Sequence, residues 1–304
     1  MAAEYSVIIV TYNSAGWIRD CIASVLAQKA DCRRLEVIVV DNASSDGSAS
    51  IVRREFPEVV LALNEQNVGF AAAVNRGAAE AQCEKLLLLN PDASLRSGFF
   101  SHLNNFFEGH PELAIVGCAL YASDGSRQVS SWKTPGLWTA LLEAALPHEL
   151  SLPLVTVHPN STGEVETVSG ACMTVGRSEF DRLGRFDERF FMYYEDFDLC
   201  IRARAQGIQT FYCLEADAVH HVRKSTEAAG EMFFLYVYES KLRILEKHES
   251  PAGYLLAKLI ILAGIAIRIP AYALAGTVLS KQELLQLSKY HTFVLPKIAA
   301  RCFL

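Results

Sequence analysis

Short apolar runs alternate with helical stretches through the first third of the chain, and this alternation constrains the fold more than any other feature. The runs are rich in β-branched residues, and they lie at 5–11, 35–41, 59–63, 86–90 and 113–117. Helices are predicted between them, near residues 15–28, 47–55, 69–82 and 97–108. Apolar strands joined by helices form βαβ units, whose parallel sheet is covered on both faces. The sequence therefore predicts a doubly wound α/β domain.

The rest of the chain follows different patterns. From about residue 118 to 223 the alternation gives way to short strands and turns, with a helix predicted near 195–206 and a strand near 208–213. After Ser225 the pattern is helical, with breaks predicted at Pro251, Pro270 and Ser280. Because the chain is about twice the length of a typical domain, we expect several parts, with bounds at 1–117, 118–223 and 224–304.

Charge is distributed unevenly along the sequence. The net charge is −6, but residues 241–304 carry nine Lys and Arg against three acidic residues. This tail is therefore +6 and the first 240 residues are −12. An acidic body disfavours a nucleic-acid partner, whereas a basic, apolar tail predicts contact with an anionic membrane surface. A solvated helix face is the alternative interpretation of the basic tail.

Residues 254–279 form the most apolar segment of the chain. Lys258, Arg268 and Pro270 interrupt it before any run reaches the roughly 18 apolar residues of a simple span. We therefore expect an interfacial or re-entrant helix. A helical hairpin packed on the protein itself and a dimer interface are the alternatives.

The cysteines and the N-terminus indicate the compartment. The eight cysteines show neither a C-x-x-C pair nor zinc-ligand spacing, which predicts buried free thiols in a reducing compartment. The first apolar run follows no basic region, so it is interpreted as a strand and not as a signal peptide. We expect the protein in the cytoplasm or on the cytoplasmic face of its membrane.

Polar clusters follow the predicted strands where each strand ends, and in such sheets ligands bind at that edge. Tyr12 can stack on a nucleobase there, and Asp41 can accept a hydrogen bond from a base N–H or a ribose hydroxyl. Gly69 begins a helix whose free N–H groups suit a diphosphate, although the G-x-G-x-x-G fingerprint is absent. Asp92, in Asn-Pro-Asp, can hold Mg²⁺ or Mn²⁺. Helix capping, by Asn13 or Ser14 for example, is the structural alternative.

Three acids crowd the start of the helix near residue 195, namely Glu195, Asp196 and Asp198. One of them can cap the helix, but mutual repulsion of three carboxylates raises at least one pKa toward the range of a general base. Further along, a His pair follows a strand, and its position favours His220 over His221 as a metal contact. A structural role is the more common one for a single histidine.

Taken together, the ordered motifs across roughly residues 5–248 resemble the family 2 inverting glycosyltransferases, which have a GT-A fold. The most similar subgroup is the bacterial rhamnosyltransferase-like enzymes, in which Asn-Pro-Asp stands in place of Asp-x-Asp. Arg223 and Lys224 depart from the pattern, since the family usually has glycines there, and this loop is expected to offer charge to the diphosphate instead.

The resemblance implies a role for each matched residue. The nucleotide-sugar contacts would be Thr11, Tyr12, Asn13, Asp41, Asn67, Gly69, Asn75 and Asp92. Asp196 would be the catalytic base, Gly170, Glu195 and Asp198 would lie on the acceptor side, and Asp92 with His220 would bind Mg²⁺ or Mn²⁺. In these terms 1–117 is the nucleotide-sugar half, 118–223 the acceptor and base half, and 224–304 a helical extension.

The implied activity is inverting, metal-assisted sugar transfer from a nucleotide-sugar, with dTDP-rhamnose as the favoured donor. The acceptor would be a hydroxyl of a glycan or of a polyprenyl-diphosphate-linked sugar in cell-surface polysaccharide synthesis. Membrane contact is expected through residues 254–304, and self-association is left open. The rival interpretations are a non-catalytic sugar-nucleotide-binding or membrane-scaffolding relative, a nucleotidyltransferase, and a retaining mechanism.

Overall fold

A computed structural model describes residues 3–110, 115–146, 148–221 and 230–303. The chain forms two compact units. The first comprises Met1–Thr134, Val157–Phe191 and Glu195–Val222, and the second comprises Pro135–Thr156, Met192–Tyr194 and Arg223–Leu304.

The first unit is built on a nine-stranded mixed sheet. The strands of the chain are β1 (Glu4–Thr11), β2 (Arg34–Asp41), β3 (Val60–Leu63), β4 (Lys85–Leu89), β5 (Ala93–Leu95), β6 (Ile115–Tyr121), β7 (Ser131–Trp132), β8 (Thr156–Val157), β9 (Gly163–Val165), β10 (Thr167–Val168), β11 (Cys172–Gly176) and β12 (Thr210–His220). The order in the large sheet is β3-β2-β1-β4-β11-β6-β12-β5, with β9 paired to β12. Strands β3, β2, β1 and β4 are parallel, and β11 is antiparallel to both of its neighbours.

Helices cover both faces of this sheet. They are α1 (Ile18–Leu26), α2 (Ser48–Glu55), α3 (Phe70–Glu80), α4 (Phe99–Gly109), α7 (Arg177–Arg182) and α8 (Glu195–Ala205). Alternate residues of β1 enter two separate cores because side chains of a strand alternate between its faces. Val7 and Ile9 pack with residues of α1 and α4, whereas Ile8 and Val10 pack with residues of α3 and α8. This two-sided burial is why the early strands are apolar throughout, and it confirms the predicted doubly wound fold.

Strand β12 is longer than the sequence pattern predicted. The prediction ended at residue 213, but β12 continues to His220 after a register shift between Cys213 and Asp217. Glu215 lies within this register shift, so the apolar pattern is interrupted there although the strand continues. The end of the strand that carries His220 was therefore missed. Residues 113 and 114 of another predicted strand lie outside the described residues.

The second unit is helical. It contains α5 (Leu137–Ala145), α6 (His148–Val155), α9 (Glu231–His248), α10 (Pro251–Val278) and α11 (Gln282–Phe303). Gly264 of α10 lies so close to α5 that an added Cβ would come 2.8 Å from the Cβ of Ala144. The buried Lys241 of α9 forms an ion pair with the half-exposed Glu143 of α5. Helices α5 and α6, which the sequence grouped with residues 118–223, thus belong with the C-terminal helices.

The predicted break at Pro270 is wrong. Helix α10 runs through Pro270 without interruption and ends near Ser280, which has a positive φ of 52°. Proline removes one backbone hydrogen bond from a helix, but the buried residues Ile265 and Gly276 keep α10 packed on both sides of this position. Pro251 is the first residue of α10, where proline is favoured, and Ser250 caps the helix. By length and composition, α10 is the one helix among the described residues that could cross a membrane.

Candidate active site

The ends of β1 and β2 carry two polar atoms that lack partners. The strands pair in register, so Thr11 lies beside Asp41. Asp41 is 3% exposed, and its Oδ2 accepts a hydrogen bond of 2.9 Å from the N–H of Ser44. Asp41 Oδ1 and Thr11 Oγ1 have no hydrogen-bond partner. Unsatisfied buried polar atoms are costly, so this pair is suited to a ligand that donates a hydrogen bond.

The loop after β1 exposes Tyr12 and uses Asn13 to join two loops. Tyr12 is 50% exposed at the strand end, where its ring is free to stack. Asn13 has a φ of 52°, and its Oδ1 accepts a hydrogen bond of 2.8 Å from the N–H of Ser45. Asp46 in turn accepts a hydrogen bond of 2.8 Å from the N–H of Ala15. Asn13 therefore holds the loop in a shape that presents Tyr12.

Gly69 permits a close approach at the start of α3. Its φ is 87°, and an added Cβ would come 2.4 Å from the carbonyl oxygen of Phe191. The Gly69 N–H donates to Asn67 Oδ1 at 3.0 Å, and its carbonyl accepts from Asn42 Nδ2 at 3.0 Å. Asn67 and Gly69 thus shape this turn, and only glycine fits at residue 69.

Asn75 has a structural position that the sequence did not predict. Its Nδ2 donates to the Phe186 carbonyl at 2.9 Å and to Glu188 Oε1 at 3.0 Å, and its Oδ1 accepts from the Phe186 N–H at 3.0 Å. Both amide donors are therefore occupied by the protein. This buried amide satisfies the backbone of the loop at residue 186, and the nucleotide-sugar contact implied for Asn75 stays a prediction.

Asp92 and His220 come together from β12 and the turn after β4. Asp92 Oδ1 lies 3.3 Å from His220 Nε2, and each side chain is 11% exposed. Asn90 Nδ2 lies 3.3 Å from the same ring nitrogen. The neighbouring His221 faces elsewhere, with its Nδ1 2.8 Å from Ser123 Oγ and its ring stacked on Trp17. His220 is thus the histidine that shares a site with Asp92.

Gln128 orients the His220 ring, and no motif in the sequence identified it. Its Nε2 donates to the His220 carbonyl at 2.7 Å, and its Oε1 lies 3.1 Å from His220 Nδ1. This pattern assigns the proton of a neutral ring to Nδ1, so the Nε2 lone pair points toward Asp92. Nε2 lies 3.3 Å from both Asp92 Oδ1 and Asn90 Nδ2, so it can accept from this amide or bind a cation together with Asp92.

The donor set of Asp92 and His220 fits a divalent cation. Carboxylate oxygen suits Mg²⁺ and Mn²⁺, and a neutral imidazole nitrogen is a common metal ligand in proteins. The described part of the chain has no cluster of three or more His, Cys, Asp or Glu residues that could hold a metal ion. Within that part of the chain, Asp92 and His220 would supply two ligands, and few protein ligands are usual where substrate phosphates also bind the metal.

Asp196 is fixed by the backbone at the start of α8. Its Oδ2 accepts from the N–H of Gly170 at 2.8 Å, and its Oδ1 accepts from the N–H of Phe197 at 2.8 Å. Burial raises the pKa of Asp196 to about 6, although these backbone hydrogen bonds favour the charged form. A carboxyl group with this pKa can accept a proton near neutral pH.

The other two acids of α8 have different surroundings. Glu195 is 4% exposed, and burial followed by the charge of Asp196 raises its pKa well above the usual range. Asp198 is fully buried and pairs with Arg202 at 2.8 Å. Arg202 also donates to the Arg185 carbonyl at 2.7 Å, so this pair secures the loop before α8. One helix turn thus contains a candidate proton acceptor, a buried acid with a raised pKa, and a carboxylate held in an ion pair.

Backbone contacts connect Asp196 to the Asp92 and His220 pair. Gly170, which binds Asp196, precedes Ala171, and the Ala171 carbonyl accepts a hydrogen bond of 2.9 Å from the N–H of Asn90. Asn90 in turn lies beside His220. The candidate base and the candidate metal ligands therefore lie at one edge of the sheet. Arg223 and Lys224, expected to add charge here, lie outside the described residues.

Comparison with known proteins identifies the family. The model of glycosyl transferase family 2 matches residues 6–180. An N-acetylglucosaminyl-diphospho-decaprenol L-rhamnosyltransferase of Mycobacterium tuberculosis (strain H37Rv) is 30% identical over 237 residues, which cover 72% of this chain and 76% of that protein. A rhamnosyltransferase of Escherichia coli (strain K12) is 23% identical over 249 residues, covering 79% and 92%.

The fold is similar to that of a mannosyltransferase from Pyrobaculum calidifontis solved with GDP-Man and Mn²⁺. The TM-score is 0.59 at 18% identity, over 99% of this chain and 86% of that one. This similarity confirms the predicted GT-A fold, and the matches to the two rhamnosyltransferases confirm the predicted subgroup. The chain belongs to glycosyl transferase family 2.

Proposed function

We propose that this protein catalyses inverting, metal-assisted transfer of rhamnose from dTDP-rhamnose to a hydroxyl of a lipid-linked glycan in cell-surface polysaccharide synthesis. The observation that carries the proposal is Asp196, a rigidly held carboxyl whose pKa is raised to about 6. Backbone hydrogen bonds connect it to the edge that carries Asp92 and His220.

On the donor side, the unpartnered atoms of Asp41 and Thr11 support nucleoside binding. Asp41 Oδ1 can accept a hydrogen bond from a base N–H or from a ribose hydroxyl. Tyr12, exposed beside them, offers a ring on which a base can stack. Rhamnose as the sugar rests on the two rhamnosyltransferase relatives.

The metal would be Mg²⁺ or Mn²⁺, held by Asp92 and His220. When bound, it would neutralise charge that develops on the leaving diphosphate. The orientation of His220 by Gln128 supports this assignment, as does the Mn²⁺ in the mannosyltransferase of similar fold.

Asp196 would accept the proton of the acceptor hydroxyl while that oxygen attacks the anomeric carbon from the face opposite the diphosphate. The carbon–oxygen bond to the diphosphate breaks as the new glycosidic bond forms, so the configuration inverts and no covalent enzyme intermediate is needed. Burial raises the pKa of Glu195 and favours its neutral form, which would leave Asp196 as the proton acceptor. The backbone N–H groups of Gly170 and Phe197 would hold Asp196 in position.

We propose a polyprenyl-diphosphate-linked sugar as the acceptor, because the relative from M. tuberculosis is named for such a substrate. An enzyme with this acceptor would work at the cytoplasmic face of the inner membrane. Residues 1–117 would then serve the donor, and 118–223 without the helical segment 135–156 would serve the acceptor and the base. Residues 224–304, together with that segment, would serve the membrane.

A donor panel tests the proposal. The full-length protein is incubated with dTDP-rhamnose, UDP-sugars and GDP-sugars, with a polyprenyl-diphosphate-linked acceptor, and with Mg²⁺, Mn²⁺ or EDTA. We expect acceptor-dependent release of dTDP with metal present, and NMR of the product should show the anomeric configuration opposite to that of the donor. Retained configuration would overturn the mechanism, and donor binding without transfer would support the non-catalytic alternative.

A further inference from the structure

The outward face of α10 is apolar over the whole length of the helix. Its exposed positions recur every three or four residues and will be called the α10 stripe. They are Ala252, Leu255, Leu256, Leu259, Ala263, Ala266, Ile267, Pro270, Ala271, Leu274, Thr277 and Val278. The large side chains among them are 47–71% exposed. At 1.5 Å per residue the 28-residue helix is about 42 Å long, so the stripe is a large apolar surface for a protein in water.

The charged side chains of α10 turn away from the stripe. Lys258 Nζ donates to the carbonyl of Cys302 at 2.9 Å, and Arg268 Nη2 donates to the carbonyl of Leu146 at 3.2 Å. The hydroxyl of Thr277, the only polar side chain in the stripe, donates to the Ala273 carbonyl at 2.8 Å. Long cationic side chains on a surface normally extend into water. In a hydrocarbon environment, by contrast, polar groups must be hydrogen-bonded within the protein.

Helix α11 indicates whether the α10 stripe can span a bilayer or lies along its surface. It packs antiparallel to α10, since Ser288 Oγ donates to the Ile269 carbonyl at 2.8 Å and Lys258 reaches Cys302. Its exposed face is polar and includes Gln282, Glu283, Gln286, Lys289, Thr292 and Lys297. A hairpin with one apolar and one polar outer face cannot span a bilayer without placing charges in its core. It can lie parallel to the surface with only α10 immersed.

Exposed apolar residues concentrate in this helical unit beyond α10. Trp138 and Leu141 of α5 are 68% and 41% exposed, and Leu150 and Leu154 of α6 are 60% and 44% exposed. Tryptophan is enriched where protein meets the membrane interface. The helical unit thus combines a long apolar helix face, charged side chains that turn inward and an exposed tryptophan, which are properties expected of a membrane-bound surface.

We propose that the α10 stripe is a lipid-contact surface that inserts among the acyl chains of one leaflet and is held there by apolar burial. A second copy of the chain fits less well, because protein interfaces carry about one hydrogen bond per 100–200 Å² and the stripe presents only Thr277, whose hydroxyl is already bonded. This inference deepens the proposed membrane association. It requires no particular donor, acceptor or catalytic residue.

The mode of attachment has a measurable consequence. The basic charge of residues 241–304 alone would give binding that needs anionic lipid and weakens with salt. However, Lys241 is buried in its ion pair, and Lys258 and Arg268 bind backbone carbonyls. Binding through the α10 stripe would instead persist on neutral vesicles at high salt.

The test is flotation of the full-length protein with vesicles of phosphatidylcholine alone in 0.5 M NaCl, without substrates. We expect the wild type to float. A variant with Leu256→Gln, Leu259→Gln, Ile267→Gln and Leu274→Gln should lose at least about tenfold in partitioning, because four exposed apolar side chains are removed. The matched control, Val60→Gln with Leu63→Gln, changes two exposed apolar residues of the first unit and should float as the wild type does.

Three results would overturn the inference. The first is a wild type that floats only with anionic vesicles at low salt, and the second is a stripe variant that floats as well as the wild type. The third is a wild-type protein that forms a stable dimer and does not float, while the stripe variant is a monomer. A second variant, Leu274→Trp, checks insertion directly, since its added fluorescence should be quenched by brominated lipids. Nucleotide-sugar binding, measured separately, shows whether each variant is folded. Sugar transfer to a soluble acceptor tests the proposed function independently of flotation.

Discussion

Gln128 contacts His220 at two points, the backbone carbonyl at 2.7 Å and ring Nδ1 at 3.1 Å. A single amide therefore sets both the position of the residue and the orientation of its ring. The remaining ring nitrogen lies 3.3 Å from Asp92 Oδ1. Groups that orient a metal-binding histidine in this way commonly change metal affinity when they are removed.

Replacing Gln128 should weaken metal binding. Gln128→Leu is expected to lower the affinity for Mn²⁺ in the presence of dTDP by about 10–100-fold, because the His220 ring loses its orientation. Titration calorimetry or the EPR signal of free Mn²⁺ measures this directly. Gln128→Glu keeps an acceptor for Nδ1–H and should lie between the two. Equal Mn²⁺ affinity in Gln128→Leu and the wild type would show that the contact does not position the ligand.

Asp196→Asn should lower turnover by about 10²–10⁴-fold while leaving the Kd of the donor unchanged, which is the usual effect of losing a positioned base. Single-turnover transfer and donor titration separate the two quantities. Glu195→Gln is the matched control, because burial raises the pKa of Glu195 and glutamine is the isostere of the neutral form that burial favours. Turnover in Asp196→Asn within a few-fold of the wild type would assign the base to another residue.

The pH profile should report the pKa of Asp196. The base must be ionised to accept a proton, and burial raises its pKa to about 6. We therefore expect kcat/KM to fall as the pH drops below about 6 and to level off above it. This acidic limb should be missing from the residual activity of Asp196→Asn. The same limb in wild type and variant would exclude Asp196 as its source.

Glu195 should make stability depend on pH. Its pKa is raised in the folded state, so the folded protein binds this proton at pH values where the unfolded chain has lost it. The contribution of Glu195 to the free energy of unfolding is thus fully present below the pKa of the unfolded chain. It decreases as the pH rises toward the pKa of the folded state, by about 1.4 kcal/mol per pH unit. Between pH 5 and 8, urea unfolding should show a smaller loss of stability in Glu195→Gln than in the wild type. Parallel curves for the two proteins would contradict this.

Asn75→Ala should affect stability more than donor binding. The substitution leaves the N–H and carbonyl of Phe186 without their partner, which should cost about 2–6 kcal/mol in unfolding free energy since each buried group costs about 1–3 kcal/mol. Urea denaturation measures the loss. At a temperature where the variant is folded, its donor Kd should match that of the wild type. A large rise in Kd without a loss of stability would support a direct contact with the nucleotide-sugar.

Much of the fold of residues 1–117 was predictable because its signals are local. Strands β1, β2 and β4 are largely buried on both faces, so their apolar residues are continuous in the sequence. The residues at their ends, such as Asp41 and Asp92, stand out by type alone. Asn75 shows the limit of such signals, since an amide that binds a ligand and one that binds Phe186 look the same in the sequence.

The sequence by itself determined the parallel strands, the family and the types of residue at the strand ends, because each follows from neighbouring positions. The tertiary structure decided what depends on distant contacts. It brought Gln128 to His220, 92 positions away, and continued β12 past its irregularity through pairing with β6. It also turned Lys258 and Arg268 inward to the carbonyls of Cys302 and Leu146. Sequence patterns record which residues a helix carries, but the direction of each charge depends on the partners that packing provides.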